Sequence, residues 1–135
     1  MFVGAAALVA ARPLRSPAHA EAHTLLDTEA GLPLFRYFRD APGGGDQLRF
    51  GAVVHLGTIE AIRRRVLAEA GVAVLPAYLV KKDLEAGRLV ALFPKVTLLS
   101  DWFRLVFRSD DPRRVVYVRM AVQLSRGVCL LEEAA

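Results

Sequence analysis

A chain of 135 residues, 54% of them hydrophobic, is long enough to bury one core without disulfides or metals to hold it. Its formal charge of +4 comes from 18 basic and 14 acidic residues and is spread thinly, with residues 63–65 the densest basic run, so a nucleic-acid-binding tract is not expected. One cysteine, Cys129, excludes an internal disulfide and a cysteine-built metal site, and no stretch of about 18 residues is free of charge, as a membrane-spanning helix requires.

Residues 1–11 are apolar and alanine-rich, and Ala18-His19-Ala20 has the small-residue form of a leader cleavage site. No basic residue precedes the apolar segment, and Arg12, Pro13 and Arg15 interrupt it early, so it reads as a strand and short helix of the fold. Ser16-Pro17 starts a turn or short helix over 18–22. His19 and His23 lie four apart, but no third ligand is spaced to join them and His55 is remote. They read as solvated surface histidines, and no metal is expected. Residues 24–26 form a short strand with Asp27 and Thr28 at its carboxyl end, where ligands collect in open α/β sheets. Asp27 is either a ligand-facing group or a turn former with Gly31 and Pro33.

Residues 34–39 fit two patterns: alternation groups Phe35 with Tyr37, while helical spacing groups Leu34 with Phe38. Pro42-Gly43-Gly44-Gly45-Asp46 is a turn cluster, and residues 47–55 partly alternate through Leu48, Phe50, Val53 and Val54. A β-hairpin is the simplest reading. The three glycines are not a phosphate loop, because no Gly-Lys-Ser/Thr follows them.

The stretch from Gly57 to Pro76 organises the rest. Thr58 has the side chain of an N-cap, and Ile59, Ile62, Val66, Leu67 and Ala70 recur at helical spacing, with Arg63, Arg64 and Arg65 mostly off that stripe on a solvated face. Gly71 is placed to end the helix in a left-handed conformation. Residues 72–75 then read as a strand buried on both faces, stopped by Pro76. A second helix over 77–86 closes at Gly87, and residues 88–93 form a further strand before Pro94. Residues 102–108 alternate Phe103, Leu105 and Phe107 with wetter positions and predict a strand. Asp110 or Asp111 caps a last helix with Pro112 in its first turn, and Val115, Val118, Ala121, Val122 and Ser125 form its apolar face. Gly127 is expected to end it, leaving residues 128–135 as a poorly ordered tail. Helices feeding strands in this order predict an α/β fold with a mixed sheet and packed helices.

No catalytic constellation emerges. None of Ser16, Ser100, Ser109 and Ser125 lies in a Gly-x-Ser-x-Gly elbow, Cys129 has no local histidine, and the acids are scattered through turns and helix faces, with Asp83 and Glu85 flanking a helix. An enzyme is not expected, nor is a cofactor. Binding has better support: the amino end of the Thr58 helix presents unpaired N–H groups and a positive dipole end to a carboxylate or phosphate, and Gly57 permits close backbone approach. The competing reading is a plain N-cap with no ligand.

Gly-Thr-Ile-Glu-Ala-Ile at 57–62, Val-Leu-Ala-Glu-Ala-Gly-Val-Ala-Val-Leu-Pro at 66–76, Tyr78-Leu79-Val80 and Leu84-Glu85-Ala86-Gly87-Arg88-Leu89-Val90 together resemble the effector-binding region of LysR-type transcriptional regulators. The similarity runs from about Leu8 to about Leu124. It implies a partial type 2 periplasmic-binding-protein-like fold, with residues 1–99 as the second lobe and residues 100–135 as the strand and helix returning to a first lobe outside the chain. It also implies a cleft for a small-molecule effector, often an organic anion, with Gly57, Thr58 and Pro76, and beyond them Asp27 and Thr28, as effector-binding candidates. DNA contact is expected through a helix-turn-helix region absent from this chain, with a cytoplasmic setting, no membrane and a homo-oligomer joined through the free-edged strand 103–108. The alternative is a solute-binding protein of a transport system, which shares this fold.

Overall fold

The computed structural model describes residues 1–45, 47–101 and 104–133, and the chain divides into two compact units, Met1–Ser100 and Asp101–Ala135. In the first unit, β1 (Phe2–Ala5) runs straight into α1 (Ala6–Ala11), a 3-10 turn spans Pro17–Ala22, and β2 (Thr24–Asp27) leads to the single-turn helix α2 (Arg36–Arg39). Then come β3 (Ala52–His55), α3 (Ile59–Leu67), β4 (Val72–Val74), α4 (Ala77–Glu85) and β5 (Leu89–Ala91).

The five strands form one mixed sheet in the order β3-β2-β4-β1-β5. Strand β2 is parallel to β3, with Leu25 opposite Val53, and to β4, with Leu25 opposite Val72. Strand β1 is antiparallel to both β4 and β5. The strands β2, β3, β4 and β5 therefore all point one way.

Alternation along the strands divides the core in two. Phe2, Leu25, Val72 and Val74 face a layer containing Leu8, Leu14, Ala20 and Phe38, whereas Val3, Leu26, Ala73 and Leu75 face Ile62 and Val66 of α3 and Val80 of α4. Covered faces on both sides explain why residues 72–75 are uninterruptedly apolar. Phe2 anchors the first layer, with its ring 4.8 Å from Phe38, 5.8 Å from Phe35 and 6.0 Å from Phe93.

Four local expectations are corrected. Among the described residues the expected hairpin does not form: α2 replaces its first strand, and β3 pairs in parallel with β2. The cause is Asp27, whose carboxylate accepts from the backbone N–H groups of Leu34 (2.6 Å) and Phe35 (3.2 Å), turning the chain there and delivering Phe38 to the core. Gly71 does not take the left-handed conformation. Glu69 does (φ 60°), while Gly71 is needed because a Cβ there would lie 2.3 Å from the Thr24 carbonyl oxygen of the neighbouring strand.

The other two corrections fall in the second unit. Residues 104–108 are not a strand, and Leu105 and Val106 stay exposed; Trp102 and Phe103 lie outside the described residues. Alternation alone does not make a strand without a partner to complete its hydrogen bonds. Helix α5 (Arg114–Glu133) does not stop at Gly127, since one glycine in a helix costs only about 1 kcal/mol. It also starts at Arg114, so Pro112 precedes its first turn instead of lying in it; ahead of that start Asp111 accepts from the N–H of Arg113 (2.8 Å) through Oδ1, and Phe107 packs on Tyr117 at 5.1 Å.

Candidate functional site

Because β2, β3, β4 and β5 are parallel, their carboxyl ends share one edge of the sheet. Asp27 ends β2 and is 2% exposed. Its Oδ1 accepts from Thr28 N (2.8 Å) and Leu34 N, and its Oδ2 from Phe35 N. Of its two readings, the structure displays the loop-forming one. Thr28 is half-buried, and its hydroxyl donates to the Leu32 carbonyl at 3.0 Å, tying the other end of the same loop.

The ladder between β2 and β3 continues past the strands. Leu56 N donates to the Asp27 carbonyl (2.9 Å) and Gly57 N to the Thr28 carbonyl (3.0 Å), which places Gly57 against Thr28. Gly57 adopts φ 75°, a left-handed geometry that suits glycine, and it turns the chain from β3 into α3. A Cβ there would meet nothing within 4 Å, so the glycine opens onto free space. Thr58 caps α3 as its sequence predicts, with Oγ1 accepting from Ala61 N at 3.2 Å and its carbonyl from Ile62 N at 3.1 Å. Both Gly57 and Thr58 are exposed.

Pro76 follows β4 and is the N-cap residue of α4, with φ −57° and ψ 138°. It stands on the same edge, two strand spacings from β3, roughly 10 Å. The structure thus joins Thr28 and Gly57 by a hydrogen bond, sets Thr58 beside them and places Pro76 across β2. Two helix amino ends, those of α3 and α4, look out from this edge.

What fixes those two helices was missed in the sequence. Asp83, on α4, is completely buried. Arg63 of α3 donates to its Oδ2 through Nε (2.8 Å) and pairs with it through Nη2 (2.7 Å), and Arg88, just before β5, donates to Oδ1 through Nε (2.9 Å) and Nη2. One carboxylate therefore clamps α3, α4 and β5 together. Burial pushes the Asp83 carboxyl up, but hydrogen bonds from Arg88 and Arg63 outweigh it and hold the group below its ordinary value. Arg63 is not part of a solvated face, and Asp83 is more than a helix-flanking acid. The available signal was its position three residues after the buried Val80, on the inner side of α4. Arg64 instead pairs with Glu60 at the surface (3.1 Å).

His19 and His23 differ from each other. His19 is exposed as expected, but His23 is 4% exposed, so its reading as a solvated histidine is corrected. It precedes β2, and Arg12, Pro13 and His19, from the loop after α1 and the 3-10 turn, lie near its ring. Among the described residues no cluster of three His, Cys, Asp or Glu is placed to hold a metal ion, and no helix is long and apolar enough to cross a membrane.

The LysR substrate binding domain family matches this chain over residues 1–129. Among solved structures, the regulatory domain of a HypT mutant from Salmonella typhimurium is similar in fold, with a TM-score of 0.50 and 20% identity over 67% of this chain. The match covers 44% of that domain, so this chain spans less than half of its length. No curated protein matches the sequence.

Proposed function

Since the chain belongs to the LysR substrate-binding-domain family, we propose that it senses a small organic anion on behalf of a LysR-type transcriptional regulator. The anion sits at the sheet edge where Thr28, Gly57 and Thr58 meet, with Pro76 across β2 and Asp27 shaping the loop from behind. One observation carries this reading: parallel strands deliver all of these residues to a single edge, at the amino end of α3 beside a glycine that opens onto free space. The Met1–Ser100 unit acts as the second lobe of an effector cleft, and the following unit returns toward the first lobe. Ligand between lobes favours one arrangement over another and so shifts the state of a regulator whose DNA contacts lie in a helix-turn-helix region elsewhere. No catalytic step is assigned to the chain, and its setting is the cytoplasm.

Self-association is part of the proposal, with a changed basis. Of the strand expected at 103–108, the described residues 104–108 form none, whereas β3 is a true sheet edge whose four residues are all exposed, Val53 and Val54 included. A light-scattering mass equal to one chain at micromolar concentration overturns this part.

The central test is thermal unfolding of the chain with acetate, succinate and benzoate, with Thr58→Val in parallel. At a hundredfold excess over Kd, ligand stabilises the native protein by about 2.7 kcal/mol. The variant loses about 1 kcal/mol through its missing cap even without ligand, so the ligand-induced increments are what is compared. An increment in the wild type that vanishes in Thr58→Val supports the site. Increments of equal size in both proteins move the site away from Thr58, and none in a folded wild type removes anion sensing by this chain.

A further inference from the structure

His23 takes no part in the corner at Thr28, Gly57 and Thr58. Among the described residues neither of its ring nitrogens has a hydrogen-bond partner, although the side chain is almost wholly buried. A neutral imidazole in such a place is costly, and a charged one costs far more. The titratable groups that face the ring are Arg12, after α1, and His19, in the 3-10 turn, and both are basic. Burial first, and then the Arg12 charge, pull the imidazole below its ordinary basicity. Backbone groups of Arg12 and Pro13 offset part of this without closing a hydrogen bond to either nitrogen.

The surrounding segment is held by a set of local contacts. His19 accepts from Arg15 N through Nδ1 (3.3 Å). Arg12 donates through Nη1 to the Ala22 carbonyl (3.2 Å), and His23 N donates to the Ala20 carbonyl (2.9 Å). The His23 carbonyl in turn accepts from Gly51 N (3.1 Å), one residue before the pair Thr24 and Ala52 that begins the register of β2 and β3. Gly51 is packed so closely here that a Cβ would lie 2.2 Å from the Glu21 carbonyl oxygen.

We propose that residues 12–23 form an acid-sensitive strap: a proton entering His23 expels the ring, releases Gly51 and loosens edge strand β3. The sign follows from linkage. The opened ring titrates at the ordinary value of 6.5 and the closed ring below it, so the closed strap is fully stable above 6.5 and weakens as pH falls beneath it. Strand β3 runs directly into Gly57 and Thr58, so the strand that loosens is the one that carries the corner.

Hydrogen exchange of the whole chain at pH 7.5, 6.5 and 5.5, expressed as protection factors, tests this. In the wild type, protection of the Gly51 and His23 amides falls about fivefold between pH 6.5 and 5.5, as expected for one proton taken up on opening. Protection of Ile62, in α3, stays constant. His23→Leu abolishes the pH dependence, and His19→Gln retains it. A dependence that survives in His23→Leu, or protection that is flat in the wild type, overturns the strap. Should His23→Leu not fold, the wild-type imidazole resonances decide. A His23 ring that titrates in place at its ordinary value, with protection unchanged, overturns the proposal, whereas one that stays neutral until the strap opens supports it.

Discussion

Helices α3 and α5 carry apolar residues at the same helical spacing and end in opposite surroundings. In α3, Ile62 and Val66 are wholly buried against β1, β2 and β4, with Thr58 capping the first turn. In α5, Val115, Val118 and Val122 remain 64%, 47% and 44% exposed. Spacing decides which side chains share a face of a helix. It says nothing of what covers that face, and the covering layer supplies most of the stability.

The sharpest way to break this comparison is to truncate one residue on each helix. Ile62→Ala is expected to cost about 3–4 kcal/mol in denaturant unfolding, through lost transfer energy and a cavity between sheet and helix. Val118→Ala on α5 should stay within about 0.5 kcal/mol. Equal losses would mean that α5 is covered by something other than solvent.

Close packing makes the next largest difference. Gly71→Ala drives a methyl into the Thr24 carbonyl and should cost about 2–3 kcal/mol, because backbone must move. Gly57→Ala meets no atom and costs only the left-handed strain of φ 75°, about 1 kcal/mol. Thermal unfolding of the two variants side by side separates a steric requirement from a conformational one.

Asp83→Asn should cost about 2 kcal/mol, less than a fully enclosed pair would, since Arg88 remains 56% exposed. Its pH dependence has a defined sign. The folded carboxyl titrates below its ordinary 3.8, so its contribution is present above 3.8 and is lost as pH falls through the folded value. Stability measured from pH 5 to pH 2 should therefore fall less steeply in Asp83→Asn than in the wild type. Parallel curves would show that Arg63 and Arg88 do not favour the charged form.

The smallest effect runs the other way. Glu69 occupies a left-handed conformation at the end of α3, and Glu69→Gly should stabilise the chain by about 0.5–1 kcal/mol. A loss of stability would show that the Glu69 side chain is needed where it stands.

Much of the first unit was legible because its signals are local. The strand and helix at residues 1–11, the Thr58 cap, the doubly buried strand at 72–75 and the Gly87 terminus each depend on neighbours within one helical turn or on period-2 alternation. The candidate corner was legible in the same way, since Thr28, Gly57, Thr58 and Pro76 all follow the carboxyl ends of strands or begin helices. What failed depended on distant partners. The hairpin reading lost to the Asp27 carboxylate, which binds amides seven and eight residues away, and the solvated reading of Arg63 lost to Asp83, twenty residues on.

The sequence by itself determined the α/β class and the cap of α3, because spacing and residue type are enough for these, and its resemblance to the LysR-type effector-binding region pointed to the family that the family match shows. Tertiary structure alone decided that β3 pairs in parallel with β2, that Asp83 joins two helices to the sheet, and that the His23 ring is enclosed with no hydrogen-bond partner among the described residues. Each of those outcomes requires groups far apart in the chain to exclude water from one another, and that exclusion does not exist until the layers have closed.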